Sequence, residues 1–260
     1  MNNDKKTKII LICALLIAFG VLAVYVALIN RPSPTIITPT TTAEVDENTE
    51  DAAIPSPITE IDYSQLYNQI IPASAENGNI GDHVRGNVKA KVVIIEYADL
   101  QCPGCAALML FMSNLYNKNS DNVAFIFRHF PLSIHPNAGL AALAAESAGV
   151  QGYFWEMTES MYSNQGIWAE KTGDDLKNAF ISIFKKVAPN GDIDKFTANL
   201  ENTNFATKVA FDHDLGRAYH NVRATPSVFV NGKEYDVMDY SSYSDLAKAI
   251  QTEIDRLLSE

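Results

Sequence analysis

An α/β fold is predicted for residues 81–260 by three features: strand-like apolar runs at 91–99 and 122–130 that flank a helix, a long block of purely helical pattern, and a hairpin-like segment ahead of a terminal helix. Composition permits such a core. The chain has 260 residues, 47% hydrophobic and 20% charged, which excludes wholesale disorder and suits one sizeable domain with an appendage. A formal net charge of -11 argues against nucleic acid as a partner, because neutralising phosphates requires a basic surface.

The elements follow in order. KVVIIEYAD at 91–99 has a continuous β-branched centre that fits no amphipathic helical period, so a buried central strand is expected. LQCPGCAALMLFMSNLYNK follows directly, with Pro103 suited to a first helical turn and Leu, Met and Phe supplying a buried face. NVAFIFRHF at 122–130 reads as a second strand, closed by Pro131. Helices are then expected at 136–150, 153–163, 174–188 and 203–221. SVFV at 227–230, the turn dipeptide Asn231-Gly232 and a partner strand at 234–238 predict a hairpin. A last helix is expected at 243–258, opening on Ser244 and Asp245. The order β, α, β, helical block, β, β, α is that of a thioredoxin fold with an inserted helical subdomain, here about 132–222.

The N-terminal part reads differently. Residues 9–29, IILICALLIAFGVLAVYVALI, are uncharged throughout and long enough to span a hydrocarbon core of about 30 Å as one transmembrane helix. Lys5, Lys6 and Lys8 precede the run, so the positive-inside bias puts residues 1–8 in the cytoplasm and the bulk of the protein beyond the membrane. A cleaved signal peptide is the rival reading, but the run exceeds a usual h-region and lacks a clean small-x-small step. Cys13 follows Ile12 early in the run and reads as a small buried hydrophobe rather than a lipid-attachment site. Residues 30–80 start as a Pro/Thr/acidic tether that would hold a domain off the membrane, and 61–80 carries enough apolar residues for a short docking helix.

The chemistry concentrates at Cys102 and Cys105. A cysteine at a helix N-terminus faces unpaired backbone N–H groups and the positive dipole end, so its thiol acidifies; a spacing of three sets the second cysteine one turn on. Cys102 is therefore the candidate nucleophile and Cys105 the resolving thiol of a reversible disulfide. Zinc would need two of His83, His129, His135, His213 and His220, which show no close ligand spacing, and no second C-x-x-C exists; no metal is expected. Ala106 directly after Cys105 is incompatible with covalent haem attachment. A purely structural disulfide remains the bland alternative. Glu96 interrupts the first strand six residues before Cys102, where an isolated acid must be neutralised, bonded or hydrated; with a raised pKa it could exchange a proton with Cys105. Thr225-Pro226 precedes the SVFV strand and, on composition alone, is a strand-boundary marker.

EYADLQCPGC, FRHFPLSIHPNAGLAALAAESAGVQGYFWEM and RATPSVFVNGK together resemble the DsbA-like thioredoxin-fold thiol-disulfide oxidoreductases, especially membrane-anchored bacterial ones, over residues 82–260. The resemblance implies Cys102 as the exposed nucleophile, Cys105 as its buried partner, Glu96 as the buried acid and Thr225-Pro226 as a cis peptide bond facing the disulfide, whose Thr225 backbone pairs with an extended client. It implies no cofactor beyond the Cys102–Cys105 disulfide, exported unfolded or partly folded proteins as clients, and a membrane partner that reoxidises the pair. The inner dipeptide Pro103-Gly104 departs from strongly oxidising relatives, which carry a histidine or an aromatic where Gly104 stands, so a milder oxidant is expected. Two other functions fit the same residues: a reductase or isomerase, and a non-catalytic peptide- or metal-binding module.

Overall fold

The computed structural model describes residue 66 and residues 68–260. The predicted cytoplasmic N-terminus, the membrane span at 9–29 and most of the tether lie outside these residues. Among the described residues no helix is long and apolar enough to cross a membrane.

Five strands form one sheet: β1 (His83–Gly86), β2 (Val92–Ala98), β3 (Val123–His129), β4 (Ser227–Val230) and β5 (Lys233–Tyr235). Their spatial order is β1-β3-β2-β4-β5, with β2 and β3 parallel and every other pairing antiparallel. The parallel pair needs a crossover, and helix α1 (Pro103–Asn119) supplies it. Central β2 alternates its side chains between the two faces. Val92 and Ile94 pack with Leu108, Met112 and Leu115 of α1 and with Leu246, Ile250 and Ile254 of the terminal helix. Ile95 and Tyr97 join Ile126, Phe130, Val222 and Phe229 on the opposite face. Glu96 shares the parity of Val92 and Ile94, so the pleat alone sets it on the α1 side.

The insertion comprises α2 (Ala138–Gly149), α3 (Phe154–Ser163), α4 (Gln165–Trp168), α5 (Gly173–Val187), α6 (Ile193–Asn199) and α7 (Thr203–Tyr219); α8 (Tyr243–Ser259) closes the fold. In α5, buried Leu176, Ala179, Phe180, Ile183 and Phe184 repeat at helical spacing and join Trp168 and Phe196 in a core that extends to Cys102, Cys105 and Phe127. The hairpin turn is set by Asn231 and Gly232, both at positive φ (44° and 83°). The helix at the C-terminus starts where expected, but Ser242 caps it, accepting from the Asp245 N–H.

Two expectations change. The partner strand stops at Tyr235 instead of 238, because the Asp236 side chain accepts from the Met238 N–H and turns the chain into a short 3-10 helix, Val237–Asp239. The short docking helix expected within 61–80 falls in part outside the described residues; of those described, 66 and 68 have 3-10 conformation and a 3-10 turn spans Ala75–Asn77, ended by Gly78 at φ 66°. Buried Arg128 ties this segment down, donating to the Leu66 and Gln69 carbonyls at 3.1 and 2.9 Å and to Asp82. Finally, β1, α4 and α6 have no counterpart among the predicted elements.

Candidate active site

The strand-to-helix turn after β2 is built from its own polar groups. Buried Asp99 accepts from the Gln101 N–H at 2.7 Å through one oxygen, and from the Leu132 N–H and His135 Nδ1 at 2.9 and 2.7 Å through the other. The Asp99 carbonyl accepts from the Cys102 N–H at 3.0 Å. From the insertion, Gln165 donates to the Leu100 and Cys102 carbonyls at 2.8 and 3.1 Å. Gln101 reaches the other way, donating to the Ala169 carbonyl and accepting from the Asn137 N–H. The helical insertion thereby grips the turn from which the first cysteine projects.

Cys102 is the N-cap of α1 in extended conformation, with Pro103 starting the helix, and Cys105 lies one turn inside it. Both are free thiols. Cys102 keeps 7% of its surface and Cys105 none. The first thiol is thus the accessible one of the pair, yet more enclosed than the exposed nucleophile anticipated, with the Thr225 carbonyl 3.4 Å from its sulfur. Its acidity follows from its neighbours. The Cys105 thiol as hydrogen-bond donor lowers the Cys102 pKa most, against the opposing effect of burial, and Thr225 with the Cys105 and Gly104 N–H groups lowers it further, to about 5. Cys105 moves the other way: burial, then Cys102 and the Glu96 charge, push its thiol well above the ordinary value.

Glu96 sits in the middle of the sheet, registered with Phe127 of β3 and Val228 of β4, and is 4% exposed. Burial, reinforced by Cys102, pushes its pKa up to about 8. It lines a cavity of about 30 Å³ together with Met109, Met112, Thr158 and Tyr162, with the Arg85–Glu159 ion pair also on the wall. That space exceeds the roughly 10–15 Å³ that one water needs. Tyr162, fully buried beside the same groups, has a hydroxyl with no hydrogen-bond partner. Opposite the cysteines the Thr225-Pro226 bond is cis, and the Thr225 carbonyl accepts from the Cys102 thiol at 3.4 Å.

All seven residues singled out in the sequence therefore meet at one place: Glu96, Cys102, Pro103, Gly104, Cys105, Thr225 and Pro226. His129 stands apart, buried and bonded to Glu146 at 3.0 Å, in a structural role. Among the described residues no cluster of metal-ligating side chains occurs. Sequence reasoning missed Tyr162, Gln165 and Tyr243. Gln165 and Tyr162 belong to an insertion whose fit against the turn has no local signal, and Tyr243 lies 139 residues beyond Gly104. A cysteine in front of a buried acid can carry out thiol-disulfide exchange: an acidic thiol attacks or leaves, and a protonated carboxyl serves its partner.

Comparison with known proteins agrees with this architecture. A thioredoxin family model matches residues 78–252. Among curated proteins, the Na(+)/H(+) antiporter NhaA 1 of Salinispora arenicola is 36% identical over 155 residues, 59% of this chain and 22% of the antiporter. NhaA 1 of Mycolicibacterium gilvum is 34% identical over 157 residues, again 59% of this chain and 24% of the antiporter. The chain thus spans less than a quarter of the length of these relatives. Among solved structures, oxidised BdbD from Bacillus subtilis superposes with TM-score 0.58 at 22% identity, covering 74% of this chain and 99% of that one. The alpha-DsbA1 of Wolbachia pipientis does so with TM-score 0.55 at 24% identity, covering 68% and 90%. Both likenesses are of fold.

Proposed function

The chain belongs to the thioredoxin family and has the DsbA-like fold with a helical insertion, and from that premise we propose that it is an extracytoplasmic thiol-disulfide oxidoreductase that introduces disulfide bonds into exported proteins. The observation that carries this reading is the opposed acidity of the two thiols, Cys102 at about 5 and Cys105 far above its ordinary value, over a buried carboxyl at about 8.

The cycle starts from the Cys102–Cys105 disulfide. A client thiolate attacks the Cys102 sulfur, forming a client–Cys102 mixed disulfide and releasing Cys105 as a thiolate. Protonated Glu96 gives that thiolate its proton, since a buried thiolate is costly and a carboxyl near pH 8 is still largely protonated at neutral pH. A second client thiolate then attacks the client sulfur, the client disulfide closes, and Cys102 leaves as a thiolate, stable because its pKa is low. Two electrons have passed from the client to the protein pair. Regeneration passes them on to a membrane partner that reoxidises the dithiol. The uncharged run at 9–29 supports a single-pass anchor that places this chemistry where disulfides persist. The redox-active pair itself is the only cofactor in the scheme.

An equilibrium titration of the full-length chain against glutathione tests the reading. Oxidase function requires a dithiol–disulfide equilibrium poised on the oxidising side of the roughly -270 mV of thioredoxin. A pair more reducing than that assigns the protein to reduction instead, and a pair that never exchanges removes the enzymatic reading.

A further inference from the structure

The glycine of the C-x-x-C dipeptide leaves a place beside the nucleophile, and another part of the chain fills it. A Cβ built on Gly104 meets the Tyr243 hydroxyl at 2.9 Å, Pro226 Cδ at 3.4 Å and Cys102 Sγ at 3.6 Å. The phenol of the first residue of α8 therefore stands over the same small space that borders the nucleophilic sulfur and the Pro226 ring. It is held there firmly. Ser242 caps α8, and Leu246, Ile250 and Ile254 lock the helix against α1, the helix that carries both cysteines. The half-buried ring packs on this core, while its hydroxyl, which that packing does not use, stands at the dipeptide.

We propose that Tyr243 is an auxiliary hydrogen-bond donor to the redox pair, its phenol reaching over Gly104 to the Cys102 sulfur when that sulfur is anionic. This deepens the oxidoreductase reading and rests on it. Gly104 is then the residue that admits the phenol: any side chain there would take its place, so the missing dipeptide side chain and the added tyrosine are two halves of one arrangement. A donor to the thiolate stabilises the reduced form of the pair, in which Cys102 is charged, and so makes the pair a stronger oxidant. Burial and the charges of the two cysteines raise the Tyr243 pKa, which keeps the phenol a donor at neutral pH. The other titratable groups around the sulfurs are Cys105 from α1, Glu96 from β2, Asp99 in the turn and Tyr162 from α3. Only Tyr243 adjoins the position of the glycine.

The test is Tyr243→Phe, which keeps the ring and removes the hydroxyl, made in the full-length chain. Thiolate absorbance against pH reads the Cys102 acidity without any client, and glutathione equilibration reads the potential. The expected result is a thiol about tenfold less acidic and a glutathione equilibrium displaced about tenfold toward the disulfide, equivalent to about 30 mV for a two-electron couple. Gly104→Ala, which pushes the phenol aside, should shift both readings in the same direction, and should add little in the Tyr243→Phe background. A Tyr243→Phe protein with unchanged thiol titration and potential overturns the proposal, whether or not its thermal stability falls. Failure of the oxidoreductase reading is distinct: there the unmodified protein itself does not equilibrate with glutathione.

Discussion

Glu96 and Glu146 are two carboxylates buried to nearly the same degree in one domain, 4% and 0% exposed, yet their surroundings favour opposite protonation states. Burial would neutralise both. At Glu146, however, His83 and His129 each place Nε2 about 3.0 Å from the carboxylate, and together they outweigh burial and hold it well below the usual carboxylate range. Asp82 is kept low in the same way by Arg128 and Lys208. Glu96 has the negative potential of a thiolate nearby and no facing cation in the forces that set its pKa. The contrast shows that a buried acid with a countercharge ties elements together, whereas one without is available for proton transfer, at a cost in stability.

The largest effect should come from stripping a countercharge. Arg128→Met leaves Asp82 with the Ile71 N–H and, as its one close cation, the more distant Lys208 amine at 3.5 Å, and cuts the bonds to Leu66, Gln69 and Tyr97, so urea denaturation should show a loss of about 3–5 kcal/mol. Equal stability in the variant would erase the distinction drawn here. At the other acid, Glu96→Gln should leave folding stability at neutral pH unchanged or higher, because it removes an acid that must take up a proton to be buried. The same change should slow stopped-flow exchange with a reduced peptide about tenfold or more, through loss of proton transfer at Cys105.

The pH dependence sharpens this further. Glu96 binds its proton more tightly folded than unfolded, so its contribution to the reduced protein is full below about pH 4.5 and is lost as pH rises to about 8. Cys102 does the reverse: its folded pKa is depressed, so it adds stability as pH rises from about 5 to about 9. The two oppose each other between pH 5 and 8. Denaturation series in that window should rise with pH in Glu96→Gln and fall with pH in Cys102→Ser, where burial still raises the Glu96 pKa. Parallel curves for the two variants would contradict the assignment. The smallest effect is expected where a countercharge is shared: His83→Gln keeps His129 on Glu146 but loses one charge-assisted bond and the stack on Phe154, for about 1–2 kcal/mol by chemical denaturation.

What could be read from the sequence divides along the same line. Val92, Ile94 and Ile95 announce a strand, Pro103 a helix start and Asn231-Gly232 a hairpin, because each works through its immediate neighbours. Cys102, Cys105 and Glu96 were legible because spacing along one strand and one helix brings them together. Edge strand β1, HVRG, was not, since its pairing is supplied by β3 rather than by any alternation of its own. Nor were the clasp of Arg128 on Asp82 or the phenol of Tyr243 above Gly104, which depend on how distant elements pack. Among the described residues the redox couple was visible locally, while the groups that tune and brace it became visible only in three dimensions.

In the proposed cycle Cys102 forms covalent disulfides with client polypeptides while Cys105 resolves them. The most direct measurement is trapping with Cys105→Ser in the full-length chain, oxidised in the presence of an unfolded cysteine-containing client and analysed on non-reducing gels. The expected result is an adduct that dithiothreitol dissolves and that a further Cys102→Ser change abolishes. Absence of any adduct, or one that survives Cys102→Ser, would contradict it.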